Sequence, residues 1–170
     1  MPGVANSLEN LEAFARGIKS FDDVLDDFAR VYATKVNSNK RWAWTDFPGY
    51  ESLTESQKSV IKARAKELGL IPRITYKPGT KDPDFEAAGV IYEIDGKPVI
   101  IDLPEVLWKK TDPVQFEWLD SQLPGGQRPE GYTWHHSAET GRMELVEYGI
   151  HKSTYHVGGR APGGWAEGQR

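Results

Sequence analysis

Apolar residues recur at three- and four-residue steps through the first part of the chain and alternate in shorter stretches later, which predicts helices followed by small strands. Leu8, Leu11, Phe14, Ala15 and Ile18 share one face of a helix over about 7–19, and Asn6 with Glu9 has capping-box spacing. Phe21, Val24, Leu25, Phe28, Val31 and Tyr32 mark a second helix that Ser20 can cap. Asp22, Asp23, Asp26 and Asp27 crowd its first turns, where they complement the positive end of the helix dipole; that explanation outweighs a hard-cation site. Thr54 and Gln57 open a third helix over about 55–68, stopped by Gly69 with Pro72 beyond.

Residues 72–87 are rich in Pro, Gly, Asp and Lys and predict a loop. An alternating run from Gly89, the turn Asp95-Gly96 and a second run to Leu103 predict a β-hairpin, with Pro98 and Pro104 placing its second strand at an edge. Phe116, Trp118 and Leu119 predict a short helix over 113–121, ended by Pro124-Gly-Gly. Further on, Tyr132–His135 and Met143–Val146 read as two strands joined by a turn, and Tyr148–Tyr155 as a helix closed by Gly158-Gly159. The Gly-rich stretch Gly158–Gly168 predicts a loose tail, in which Trp165 has no evident task. The fold class is therefore α+β: N-terminal helices over about 1–75, then a domain over 76–170 with a central hairpin and a C-terminal ββα unit at about 131–159.

A length of 170 residues fits one domain or one plus an appendage, and 38% hydrophobic residues with six Trp can build a core. No apolar run is long enough to span a bilayer, and no cleaved signal is expected. With no cysteine, a disulfide framework and a thiolate metal site are excluded. Net charge is -4, yet residues 35–77 hold nine basic residues (Lys35, Lys40, Arg41, Lys58, Lys62, Arg64, Lys66, Arg73, Lys77) against four acids. A solvated helix face accounts for most such runs, and an electrostatic contact surface is the alternative. Trp42 and Trp44 are expected to anchor the core or an interface rather than stack on nucleic-acid bases.

All four histidines fall between 135 and 156. A strand sends His135 and His136 to opposite sides, so the two serve different purposes. His151 and His156 are about 140° apart on a regular helix and converge only if it distorts or ends before His156. Three neutral imidazoles suit Zn, Ni, Co or Mn better than Mg or Ca, with coordination positions open to water and phosphate. A fourth His can then serve as a general base.

The string Trp134-His135-His136, then Met143-x-Leu-Val, then His151-x4-His156 before Gly-Gly resembles the HNH/endonuclease VII superfamily of ββα-metal (His-Me finger) nucleases, in its Trp-His-His branch. The resemblance covers about Gly131–Gly159, with a looser likeness at Pro83-Asp84-Phe85. It implies that His135, His151 and His156 hold one divalent metal ion, Zn or Ni first, with Mg or Mn also open. It further implies that His136 is the general base for phosphodiester hydrolysis leaving 5′-phosphate and 3′-hydroxyl ends. Arg128, Lys152 and Arg160 are the expected phosphate-binding cations, Arg128 also as a catalytic group. Glu144 is also expected in the catalytic machinery, although many relatives carry Asn or Gln there and an ionised carboxylate cannot donate a hydrogen bond. Trp134 is expected to pack the hairpin against the helix.

Members of that branch occur mainly as effector domains of bacterial polymorphic toxins. The resemblance therefore implies a DNA-directed endonuclease, secreted or injected within a larger toxin, acting in the target-cell cytoplasm and neutralised by an acidic immunity protein. An RNase of the same fold, or a non-catalytic protein-binding module stabilised by metal, are the alternatives.

Overall fold

The computed structural model describes residues 3–168 and divides into two compact units, one ending at Arg73 and one beginning at Ile74. The outermost ends of the two expected regions, residues 1–2 and 169–170, lie outside the described residues.

The first unit packs α1 (Val4–Ala15) and α3 (Glu55–Glu67) against α2 (Phe21–Asn37). Leu11, Val24, Phe28, Val31, Tyr32, Val36, Phe47 and Ile61 are buried there. The capping boxes of Ser20 with Asp23 and of Thr54 with Gln57 form, each satisfying helix-end N–H groups worth about 1 kcal/mol. The expected box at Asn6 does not form. The first helix starts at Val4 and stops at Ala15, because Gly17 (φ 76°) turns the chain back through Gly17 N–H to Phe14 O and Ile18 N–H to Ala13 O.

Two of the aspartates of α2, Asp26 and Asp27, are ion-paired, and Asp23 serves the capping box. Asp27 accepts from Arg30 (2.8 Å) and Asn10 (3.2 Å), and Asp26 accepts from Arg64 across the helix pair (2.6 Å). Hydrogen bonding and charge from Arg64 outweigh desolvation and hold the Asp26 carboxyl below its usual range. Trp42 and Trp44 join Tyr32 and Phe47 in an aromatic cluster, with Trp44 stacked on Tyr32 at 5.8 Å and 9°.

The second unit begins with a loop and the single turn α4 (Phe85–Ala88). The hairpin is shorter than expected: β1 (Glu93–Ile94) and β2 (Lys97–Pro98) pair for two residues each around Asp95 (φ 52°) and Gly96 (φ 76°). Beyond Val99 the chain leaves this pair, and β3 (Ile100–Asp102) joins a three-stranded antiparallel sheet as its edge, in the order β3-β5-β4. Here β4 is Tyr132–His136 and β5 is Arg142–Glu147, with His135 opposite Glu144 and His136 opposite Met143.

One face of this sheet carries the core. Trp134, Met143 and Leu145 pack there with Val99, Leu103, Leu119 and Leu123. Leu119 lies on α5 (Asp112–Ser121), and the Trp134 indole N–H donates to Asp120 Oδ1 of that helix at 2.8 Å. Trp134 thus pins α5 to the sheet, rather than the helix that follows β5. That last helix, α6 (Tyr148–Ser153), follows β5 without a break. No helix among the described residues is long and apolar enough to cross a membrane.

The Gly-rich segment is a packed strap. Gly159 N–H donates to His136 O (3.1 Å), Ala166 N–H to Gly159 O (2.8 Å) and the Trp165 indole to Ser137 O (2.7 Å). Ala166 is fully buried, and Trp165 meets Trp108 edge to face.

Candidate active site

Adjacent positions on β4 send the two histidines of the pair to opposite faces. His136 lies on the Trp134 side, against Phe116 and Gln115 of α5. His135 lies on the other side, edge-on to the buried Phe85 ring and beside His151 of α6. Both reach a cavity of about 290 Å³, which His151, His156, Asp112 and Arg160 also line.

The early end of α6 brings His151 and His156 together. The helix stops at Ser153, Thr154 is extended (φ -101°, ψ 118°), and the two rings lie with centroids 4.7 Å apart. One nitrogen from each of His135, His151 and His156 lies within 4.8 Å of the other two.

Hydrogen bonds decide which nitrogens face inward. His156 Nδ1–H donates to Thr154 O (2.8 Å), which leaves Nε2 as its lone-pair nitrogen. His135 Nε2–H donates to Asp82 Oδ1 (3.3 Å), so the lone pair of Nδ1 points toward His151 Nε2, 3.3 Å away. Two nitrogens bound at about 2.0–2.1 Å to a tetrahedral ion stand roughly 3.3 Å apart. The His135–His151 spacing, the tautomers and the imidazole donors therefore fit a divalent cation. Burial, aided by the charges of His156 and Lys77 and opposed by Asp82, keeps the His135 pKa below its ordinary value, so the ring is neutral as a ligand must be.

Asp82 is the residue that the sequence did not single out. It is buried and also accepts from Ser137 Oγ (2.9 Å) and pairs with Lys77 Nζ (3.0 Å). Burial opposes its ionisation, but the hydrogen bonds from His135, Lys77 and Ser137 win and hold its carboxyl far below the usual range. An anion behind a ligand histidine fixes ring orientation and raises ligand basicity. Asp82→Asn is accordingly expected to weaken zinc binding by about 10- to 100-fold in a chelator competition titration; unchanged affinity would refute this orienting role.

Glu144 occupies a different place from the one expected of a catalytic group. It lies on the His135 face, fully buried, with Oε2 accepting from Arg142 Nε (2.8 Å) and Oε1 4.0 Å from His135 Nε2. Oε1 has no hydrogen-bond partner, and burial pushes the carboxyl up despite Arg142 and Lys77. It therefore sits beside His135, on the face opposite His136. Lys77, counted in the basic run, is half-buried with its charge stabilised by Asp82, Glu144 and Glu139.

The expected phosphate-binding cations divide. Lys152 is exposed on α6 beside His151. Arg128 pairs with Asp120 (3.0 Å) and covers the Phe116 ring at 5.1 Å, in a cleft sharing Asp112 and Phe116 with the histidine cavity. Arg160 departs from expectation: its side chain is 3% exposed and it donates to Asp112 Oδ1, Lys110 O, Ala166 O and Gln115 Oε1. Those bonds make it the pin that ties the strap to α5.

A search of curated proteins finds no match, and neither does a search of solved structures. A family comparison does: residues 124–166, about a quarter of the chain, match the WHH family, described as a nuclease of the HNH/ENDO VII superfamily with conserved WHH. The matched segment contains β4, β5, α6, the strap through Ala166 and all four histidines. The segment that carries β4, β5, α6 and the four histidines is therefore the part of the chain that is similar to nucleases of the WHH family.

Proposed function

We propose that the C-terminal unit is a metal-dependent endonuclease that hydrolyses phosphodiester bonds in DNA, with a divalent ion held by His135, His151 and His156 and with His136 as general base. The observation that carries this reading is the convergence of four histidines on one cavity, three of them with ligand nitrogens within 4.8 Å of one another. When bound, such an ion neutralises phosphate charge and the departing 3′ oxygen. His136, on the same cavity but the opposite face of β4, takes the proton of the attacking water on a ring nitrogen. In-line attack at phosphorus breaks the bond to the 3′ oxygen, which takes a proton from solvent, and leaves a 5′-phosphate and a 3′-hydroxyl. Arg128 lines the cleft next to the cavity and Lys152 follows His151 on α6, and their charges attract the phosphate backbone.

The resemblance also supports an effector role: delivery within a larger toxin into a competing bacterium's cytoplasm, and capture by an acidic immunity protein. Within the basic run, Lys58 pairs with Glu55 and Arg64 with Asp26 and Glu67, which leaves less positive charge in the helical unit for such a partner than the sequence count implies.

Purified protein supplied in turn with Zn, Ni, Mn or Mg is expected to nick or linearise plasmid DNA, with ends that a ligase accepts, and to stop on addition of chelator. Intact DNA and intact RNA under every metal and pH tried would end the nuclease assignment; cleavage of RNA alone would move the substrate and keep the chemistry.

A further inference from the structure

Gln115 is a polar residue at 0% exposure, held in the middle of α5 against His136. Its amide nitrogen donates to Leu107 O and Trp108 O, both at 2.9 Å. Its oxygen accepts from Arg160 at 2.8 Å and lies 2.7 Å from His136 Nε2. The reverse amide orientation would set an NH2 against the Arg160 guanidinium and an oxygen against two carbonyls. Five polar groups therefore agree on a single arrangement, in which Oε1 faces the imidazole.

A carbonyl oxygen only accepts, so His136 Nε2 must carry the hydrogen at this contact. In a neutral imidazole Nδ1 is then the acceptor nitrogen. Asp112 Oδ1 is 3.8 Å from the same Nε2, beyond hydrogen-bond reach, because it is drawn to Arg160 at 2.7 Å. The carboxylate stays close enough to favour an imidazolium by charge, while the neutral amide holds the direct contact.

We infer that Gln115 is the positioning residue that fixes His136 as its Nε2–H tautomer and presents Nδ1 to the reacting water, an inference that rests on reading His136 as the general base. Arg160 and the carbonyls of Leu107 and Trp108 lock the amide, so the strap, the turn before α5 and α5 itself all act on one ring. A neutral imidazole in the other tautomer would place its hydrogen where the lone pair is required, and no proton would be taken.

The test joins kinetics to a tautomer readout. Gln115→Met keeps length and bulk but loses both the acceptor and the two amide donors. On DNA with zinc it is expected to lower kcat by about 100-fold, with KM and zinc affinity within about twofold of the unaltered protein. In the zinc-loaded, unaltered full chain, imidazole nitrogen NMR is expected to show His136 in the Nε2–H form; in Gln115→Met the two tautomers are expected to mix. An Nδ1–H form in the unaltered protein overturns the inference whether or not the variant folds. A variant with normal kcat and an undisturbed tautomer also overturns it, provided His136→Ala is inactive. Full activity in His136→Ala would instead remove the general-base reading, with the tautomer measurement still reporting on Gln115 separately.

Discussion

A His136→Ala variant is expected to bind a divalent ion as the unaltered protein does and to lose DNA cleavage by about 100- to 10,000-fold, the range that a positioned general base contributes. The environment of the ring makes the substitution informative. His136 is 6% exposed, but alanine there strands no buried acceptor, because Gln115 Oε1 keeps its bond from Arg160. The three nitrogens that converge belong to His135, His151 and His156, so under the proposed reading metal uptake has no direct dependence on the substituted ring. A purely structural role makes the opposite forecast: cleavage retained in proportion to folded protein, with the melting temperature lowered. Measuring kcat, zinc affinity and thermal unfolding on one preparation separates the two, and retained turnover would refute the assignment.

Gly158→Ala is expected to loosen the strap and disturb the metal site from outside the ligand set. A Cβ at Gly158 would stand 2.2 Å from His136 O and 3.5 Å from the His135 ring. The obstacle is a backbone oxygen in the middle of the site, and it has no freedom to swing aside as a long side chain does. Something must move, and the chain that has to give is the strap that begins just after His156 and donates the Gly159 N–H to His136 O. Overpacking of this kind costs about 1–3 kcal/mol, so a lower melting temperature should accompany zinc affinity weakened by more than about tenfold. Gly3→Ala, where a Cβ meets nothing within 4 Å, serves as the control that should leave zinc affinity unchanged. A Gly158→Ala protein with the melting temperature and zinc affinity of the unaltered chain would show that the close approach does not constrain the site.

Local signals carried far. Ser20 with Asp23, and Thr54 with Gln57, are contacts between residues three apart, so their helix starts could be read from spacing alone. Asp95-Gly96 forms its turn because both residues adopt positive φ, a preference written in those two residue types. The hairpin it begins was overestimated because two short runs do not reveal where a strand changes partners. Ile100–Asp102 gains more by pairing with Arg142–Glu144, some forty residues on, than by extending the hairpin. At Asn6 the capping spacing was present but the helix began earlier, at Val4.

The amino-acid sequence by itself determined the α+β class, the chemical type of the ligands and their concentration in one ββα segment, because residue identity and short-range periodicity carry that information. Tertiary structure alone decided which nitrogens face inward and which charges are already spoken for. Asp82 meets His135 across 53 positions, Gln115 meets His136 across 21 and Arg160 meets Asp112 across 48. Contacts of that separation leave no local pattern, since an aspartate in a Pro-rich loop, a glutamine on a short helix and an arginine in a glycine-rich run each look like surface residues. Their pairing follows from desolvation: once the sheet, α5 and the strap close over them, each buried polar group must find the particular partner that geometry leaves within reach.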